Sequence, residues 1–157
     1  MLEYLSKMSI DGAGLSGARV YIKFIEDYMP QSYRNYQFDC GNRDLPSQMY
    51  YVMRCGIVHS FSLVPNPSFS SAGGRKGSIV ISHKGTHLTK FQYTKNSDAV
   101  LFVFADLYAD IKFALEEIFK RASSDNALMA RITKFLKDNP TIEEISLGNA
   151  VSGVAIL

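Results

Sequence analysis

The run Arg54-Cys55-Gly56-Ile57-Val58-His59 sets an arginine and a histidine with four residues between them. Together these two residue types suit cleavage of RNA by its own 2′-hydroxyl. That reaction needs a group to move a proton and a cation to offset the charge gathering on phosphorus. Histidine titrates near neutral pH and moves the proton. The guanidinium presents a fork of donors that matches phosphate oxygens. With both in place the reaction requires no metal. The plainer reading makes Arg54 a solvated charge on a helix face and His59 a residue near a helix C-terminus, where the cationic ring is favoured.

On a regular helix a five-residue step turns about 140°, so Arg54 and His59 do not share a face. They converge if the helix loosens near Gly56, or if two copies of the helix end meet around one cleft. The longer run MYYVMRCGIVHS (49–60) resembles the core motif of HEPN domains, whose pattern is Arg, four to six residues, then His. The resemblance implies an all-α bundle of four or five helices and a dimer with its site at the interface. It further implies, in active members, metal-independent endoribonuclease activity of a toxin or defence type, in some cases paired with a nucleotidyltransferase-type antitoxin. Carried over residue by residue, only Arg54 and His59 match, as the catalytic pair.

Other constellations carry less. His83 and His87 bracket Lys84-Gly85; two histidines are not a metal site without further ligands, and they read as exposed turn residues. No metal and no cofactor is expected. The loop Ala72-Gly-Gly-Arg-Lys-Gly-Ser78 lacks P-loop spacing and precedes a strand. Arg75, Lys76, Lys84, Lys90 and Lys95 cluster with no acidic residue between 68 and 97. Such a patch suits a phosphate backbone, with Arg75, Lys76 and Lys84 as nucleic-acid contacts; it equally suits a hairpin edge guarded by lysines. Tyr33, Tyr36, Phe38, Tyr50 and Tyr51 surround Arg34 and Arg43. They either stack bases or, the commoner role, pack a loop on the core. Asp39 and Asp44 make no convincing carboxylate pair. No Gly-x-Ser-x-Gly nucleophile motif occurs, and Cys55 lacks an orienting partner for thiol chemistry.

The elements that must position these residues follow from pattern. A helical pattern begins at Ser16 and is stopped by Pro30. A loop with at most one helical turn follows. Ser47 is a candidate cap for a second helix, SQMYYVMRCGIVHS. Ile79–Ile81 and Leu88–Tyr93 around Lys84-Gly85 read as a β-hairpin. The longest helix is expected over 97–121, capped by Ser97-Asp98, with an apolar face from Val100 to Phe119. That face is too broad for a lone surface helix, which places it centrally in a bundle or at a subunit contact. An amphipathic helix over ALMARITKFLKD ends before Pro140.

Composition bounds the rest. The 157 residues carry 17 Lys and Arg against 15 Asp and Glu, for a net charge of +2, with 46% hydrophobic residues. A single globular domain over 1–157 is the default. Disorder and collagen-like classes are excluded, and net charge alone points to no nucleic acid. Two cysteines, Cys40 and Cys55, form no disulfide framework, and the N-terminal stretch lacks the features of a signal peptide. The longest apolar run, Ala99–Ala105, is far short of a membrane helix. A cytoplasmic protein without membrane association is expected.

The expectation is therefore an all-α or mostly α bundle of about five helices with a hairpin inserted near 78–93. It would act on RNA through Arg54 and His59 in a cleft of a homodimer. The alternative keeps the bundle as a non-catalytic module that binds a nucleotide or a partner protein.

Overall fold

The computed structural model describes residues 1–36, 44–54, 78–94 and 97–139. The chain opens with helix α1 (Leu2–Ser9), which buries Leu2, Leu5 and Met8 and turns Glu3 outward. Helix α2 (Gly17–Tyr28) starts as its sequence dictates: the Ser16 side chain accepts from the Arg19 N–H at 3.3 Å. Its buried Val20, Tyr21, Phe24, Ile25 and Tyr28 recur at three- and four-residue steps, the spacing of a core-facing stripe. Pro30 separates it from the short helix α3 (Gln31–Asn35), because proline has no N–H to continue the ladder.

Helix α4 (Leu45–Gln48) is capped by Asp44, whose Oδ1 accepts from the Ser47 N–H at 2.8 Å. The helix thus begins ahead of Ser47, with Pro46 in its first turn, where a missing N–H costs nothing. It runs directly into a π-helix over Met49–Arg54. This widened form is uncommon and is often found at functional sites.

Strands β1 (Ser78–Ser82), β2 (Thr89–Thr94) and β3 (Ser97–Val103) form a sheet in the order β1-β3-β2. β1 lies parallel to β3, with Ile79 opposite Val100 and Ile81 opposite Phe102. β2 lies antiparallel to β3, with a register shift between Gln92 and Thr94, which is the signature of a bulge. Helices α5 (Phe104–Ala122) and α6 (Asn126–Asp138) complete the described chain. Asp125 caps α6, accepting from the N–H groups of Ala127 and Leu128.

The architecture is mixed α/β, which corrects the all-α bundle. The strands near 78–93 do not pair with each other, because β3 lies between them. The segment expected to open the longest helix is that third strand. Ala99, Val100 and Phe102 are wholly buried and Val103 nearly so. A strand covered on both faces reads as a continuous apolar run, without the alternation that marks a half-buried strand. Ser97-Asp98 therefore caps no helix; α5 starts at Phe104 with no side-chain cap.

One core serves helices and sheet together. Phe24, Ile25, Tyr33, Leu45, Met49, Val52, Val100, Phe102 and Ile118 are among its fully buried side chains. On α5 the core takes Leu107, Ala114, Ile118 and Ala122, while Phe104, Tyr108, Phe113 and Phe119 stay exposed. α5 is therefore a peripheral helix of this chain, not the centre of a bundle. Among the described residues no helix is long and apolar enough to cross a membrane.

Candidate functional site

Arg54 is the last residue of the π-helix. Its Nε donates to Glu3 Oε2 at 3.2 Å and its Nη2 to Glu3 Oε1 at 3.3 Å. One edge of the guanidinium thus meets both oxygens of a carboxylate, the geometry that suits this pair best. The Tyr50 ring, one turn earlier, lies 5.8 Å from the guanidinium carbon. Tyr50 is itself held edge-on between Tyr21 and Tyr51, with centroids 5.6 and 5.2 Å away. α1 supplies the carboxylate because Leu2 and Leu5 bury one face of its first turn and leave Glu3 on the other.

Glu3 also takes Lys7 Nζ at 3.0 Å, one turn along α1. The Arg54 hydrogen bonds, followed by those of Lys7, hold the Glu3 carboxyl below the ordinary carboxylate range, against a smaller upward push from burial. Glu3 is consequently ionised at neutral pH. The Arg54 side chain keeps 29% of its surface exposed.

The remaining sequence candidates are distributed as follows. His59, Arg75, Lys76, Cys55 and Lys95 lie outside the described residues. Lys84 is exposed in the turn between β1 and β2, on a different element from Arg54. Lys90 is exposed on β2, at one end of the strand order, where a lysine also discourages edge-to-edge pairing. Tyr33 is completely buried and so presents no face to a base; Arg34 beside it is exposed. Among the described residues no group of three or more His, Cys, Asp or Glu is arranged to hold a metal ion.

His87 is the residue that sequence reasoning placed wrongly. It is not an exposed turn residue: only 14% of its side chain is accessible. Its Nδ1 accepts from the Val103 N–H at 3.0 Å, so the ring proton sits on Nε2. Nε2 lies 3.0 Å from the Tyr33 hydroxyl and 3.2 Å from Asp110 Oδ2. Tyr33 donates to that same Oδ2 at 2.7 Å. Burial first, then the bond to Asp110, pushes the Tyr33 hydroxyl far above its ordinary range, so it remains a donor. Both ring nitrogens of His87 face inward, so the cluster works as a strut that ties α3, the 83–88 turn and α5 together. Tyr33 and Asp110 are 77 residues apart, and no local spacing signals such a cluster.

No family model, no curated protein and no solved structure matches the chain. The resemblance to HEPN domains therefore stands on the sequence run 49–60 alone, with Arg54 and His59 its matching residues.

Proposed function

We propose that the chain acts on RNA as a metal-independent endoribonuclease, with an HEPN-like Arg54/His59 pair carried on a mixed α/β scaffold. Arg54 binds the scissile phosphate and offsets the charge that builds on it. His59 moves the proton. Two chains bring their helix ends to one cleft, which supplies two histidines for acid–base cleavage. The observation that carries the reading is the state of Arg54: a partly exposed guanidinium, oriented along one edge by Glu3, at the last residue of a helix, with Cys55-Gly-Ile-Val-His59 next in the sequence. The π-helical winding of 49–54 further supports it, because the helix leaves regular geometry before Gly56.

The test is cleavage of a single-stranded RNA in excess chelator. The expected products carry 2′,3′-cyclic phosphate ends. His59→Ala is expected to reduce the rate by about 10²- to 10⁴-fold, the usual contribution of a proton-transferring group, with the fold retained. Unchanged cleavage by that variant contradicts the reading.

A second reading, a non-catalytic interaction module, is favoured by α5. Phe104, Tyr108 and Phe119 are exposed to 64%, 59% and 48%, and steps of four and eleven residues place them on one side of the helix. Aromatic side chains of this kind are enriched at protein interfaces. Tyr108→Glu separates the readings: loss of self-association or partner binding with RNA cleavage absent from the wild type supports the module.

A further inference from the structure

We propose that His87 is a proton-sensitive latch, which holds the 83–88 turn on the junction of β3 and α5 and releases it when the ring takes up a second proton. The proposal stands apart from the RNA-acting reading. The latch is the hydrogen bond that the Val103 N–H donates to Nδ1 at 3.0 Å. Val103 ends β3 and immediately precedes α5, so the bond ties the turn to the point where sheet gives way to helix. Only the neutral ring accepts it, because the imidazolium has two N–H donors and no acceptor. Histidine is also the side chain type that ordinarily changes charge between pH 5 and 8.

Protonation acts differently on the two sides of the ring. Nε2 lies 3.2 Å from Asp110 Oδ2 and 3.0 Å from the Tyr33 hydroxyl oxygen. A positive ring strengthens the contact with Asp110 without rearranging it. At Nδ1 an acceptor becomes a donor that faces the Val103 donor, and attraction turns to repulsion. The ring can keep Asp110 while the backbone of the turn draws away from Val103, so the carboxylate does not hold the latch closed. The surroundings favour the proton. Asp106 adds a second negative charge from α5, acting on the Tyr33 hydroxyl, which burial and Asp110 keep protonated. β3 presents Phe102, with its ring centroid 5.3 Å from that of His87. The cationic and titratable groups alongside, Arg34 on α3 and His83 and Lys84 in the turn, are exposed to solvent.

The turn stores strain that favours its release. Gly85 and Leu88 stand at φ +115° and +57°, and for leucine that region is costly. A second tie to β3 is the bond from the Leu88 N–H to the Leu101 carbonyl at 2.8 Å. Loss of the latch leaves a strained segment to that tie.

The test is amide hydrogen exchange followed by NMR on the full chain at about pH 7.5 and about pH 5, with each rate normalised to the intrinsic rate at that pH. Protection at Val103 and Leu88 is expected to fall by about 10- to 100-fold on acidification, the scale of a hydrogen bond replaced by an unpaired donor. Phe24 and Ile25 in the core of α2 are expected to keep theirs. His87→Asn sets an amide oxygen near the place of Nδ1 and does not titrate, so its protection at Val103 and Leu88 should not change with pH. Protection at Val103 that holds or rises on acidification overturns the latch. An equal fall at Phe24 and Ile25 also overturns it, since that marks unfolding of the whole chain, as does a fall of wild-type size in His87→Asn. The wild type alone supplies a second measurement, the ring nitrogen signals of His87 through the same titration. Loss of Val103 protection should share the midpoint of those signals, and midpoints more than about one pH unit apart overturn the proposal.

Discussion

Glu3 lies between the Arg54 guanidinium and the Lys7 ammonium, and that placement sets how the pair answers to acid. Its carboxyl is held below the ordinary value of 4.5, first by Arg54 and then by Lys7. A carboxyl depressed in the folded state contributes stability that is fully present above its unfolded pKa and lost as pH falls through the folded one. The stability difference between wild type and Glu3→Gln should therefore be constant from about pH 5.5 to 8 and shrink below about pH 4.5. Because the pair is partly exposed, the difference should be about 1 kcal/mol or less. Urea unfolding at several pH values checks this, and a difference that grows as pH falls contradicts the assigned pairing. At this scale the sequence was informative about residue type but not about partner. Arg54 was identifiable from its spacing to His59, yet Glu3 was invisible as its partner because the two meet only through tertiary packing. His87 reads as exposed from sequence because its neighbours Lys84 and Gly85 have the pattern of a hairpin tip, whereas only 14% of its side chain is accessible.

The 83–88 turn shows how an element is fixed by a few contacts. Gly85 adopts φ +115°, and a Cβ there would come within 2.6 Å of Leu101 Cδ2. Leu88, also at positive φ, donates its N–H to the Leu101 carbonyl at 2.8 Å. Together with the His87–Val103 bond, these contacts bind the turn to the centre of the sheet. Gly85→Ala meets both the steric contact and the disfavoured φ, and should cost about 1–3 kcal/mol. Adding Leu101→Ala should relieve the contact but not the backbone strain, so the two losses should not add. His87→Ala leaves the Val103 N–H without its acceptor and should cost about 1–3 kcal/mol. Denaturant midpoints test each of these, and a neutral Gly85→Ala would contradict the described turn. Helix α2 is legible because Ser16, Pro30 and its apolar spacing all agree, and α6 because the amphipathic run ALMARITKFLKD stops before Pro140. Strand β3 was not, because a run buried on both faces carries no period to separate strand from helix. A helix over 97–103 leaves 79–93 no partner strand, which is why that segment reads as an isolated hairpin.

At the scale of the molecule, helices and sheet share one core, and Arg54 reaches its partner across two of those elements. A shared cleft between two chains makes a specific prediction. Arg54→Ala and His59→Ala chains, each inactive alone, should regain part of the cleavage rate when mixed, because a mixed dimer still brings one Arg54 and one His59 to the cleft. No recovery, with subunit exchange verified, would place the pair within a single chain. The exposed aromatic row on α5 offers a second contact surface whatever the chemistry, and Tyr108→Glu should leave the RNA rate unchanged if that row lies away from the cleft.

The most direct measurement is the rate at which the purified chain cleaves a single-stranded RNA in excess chelator, with His59→Ala and Arg54→Ala prepared alongside. The account predicts cleavage by the wild type, cyclic phosphate ends on the products, and rates at least about 100-fold lower for both variants. Equal rates in all three, or cleavage that requires a divalent metal, would contradict it.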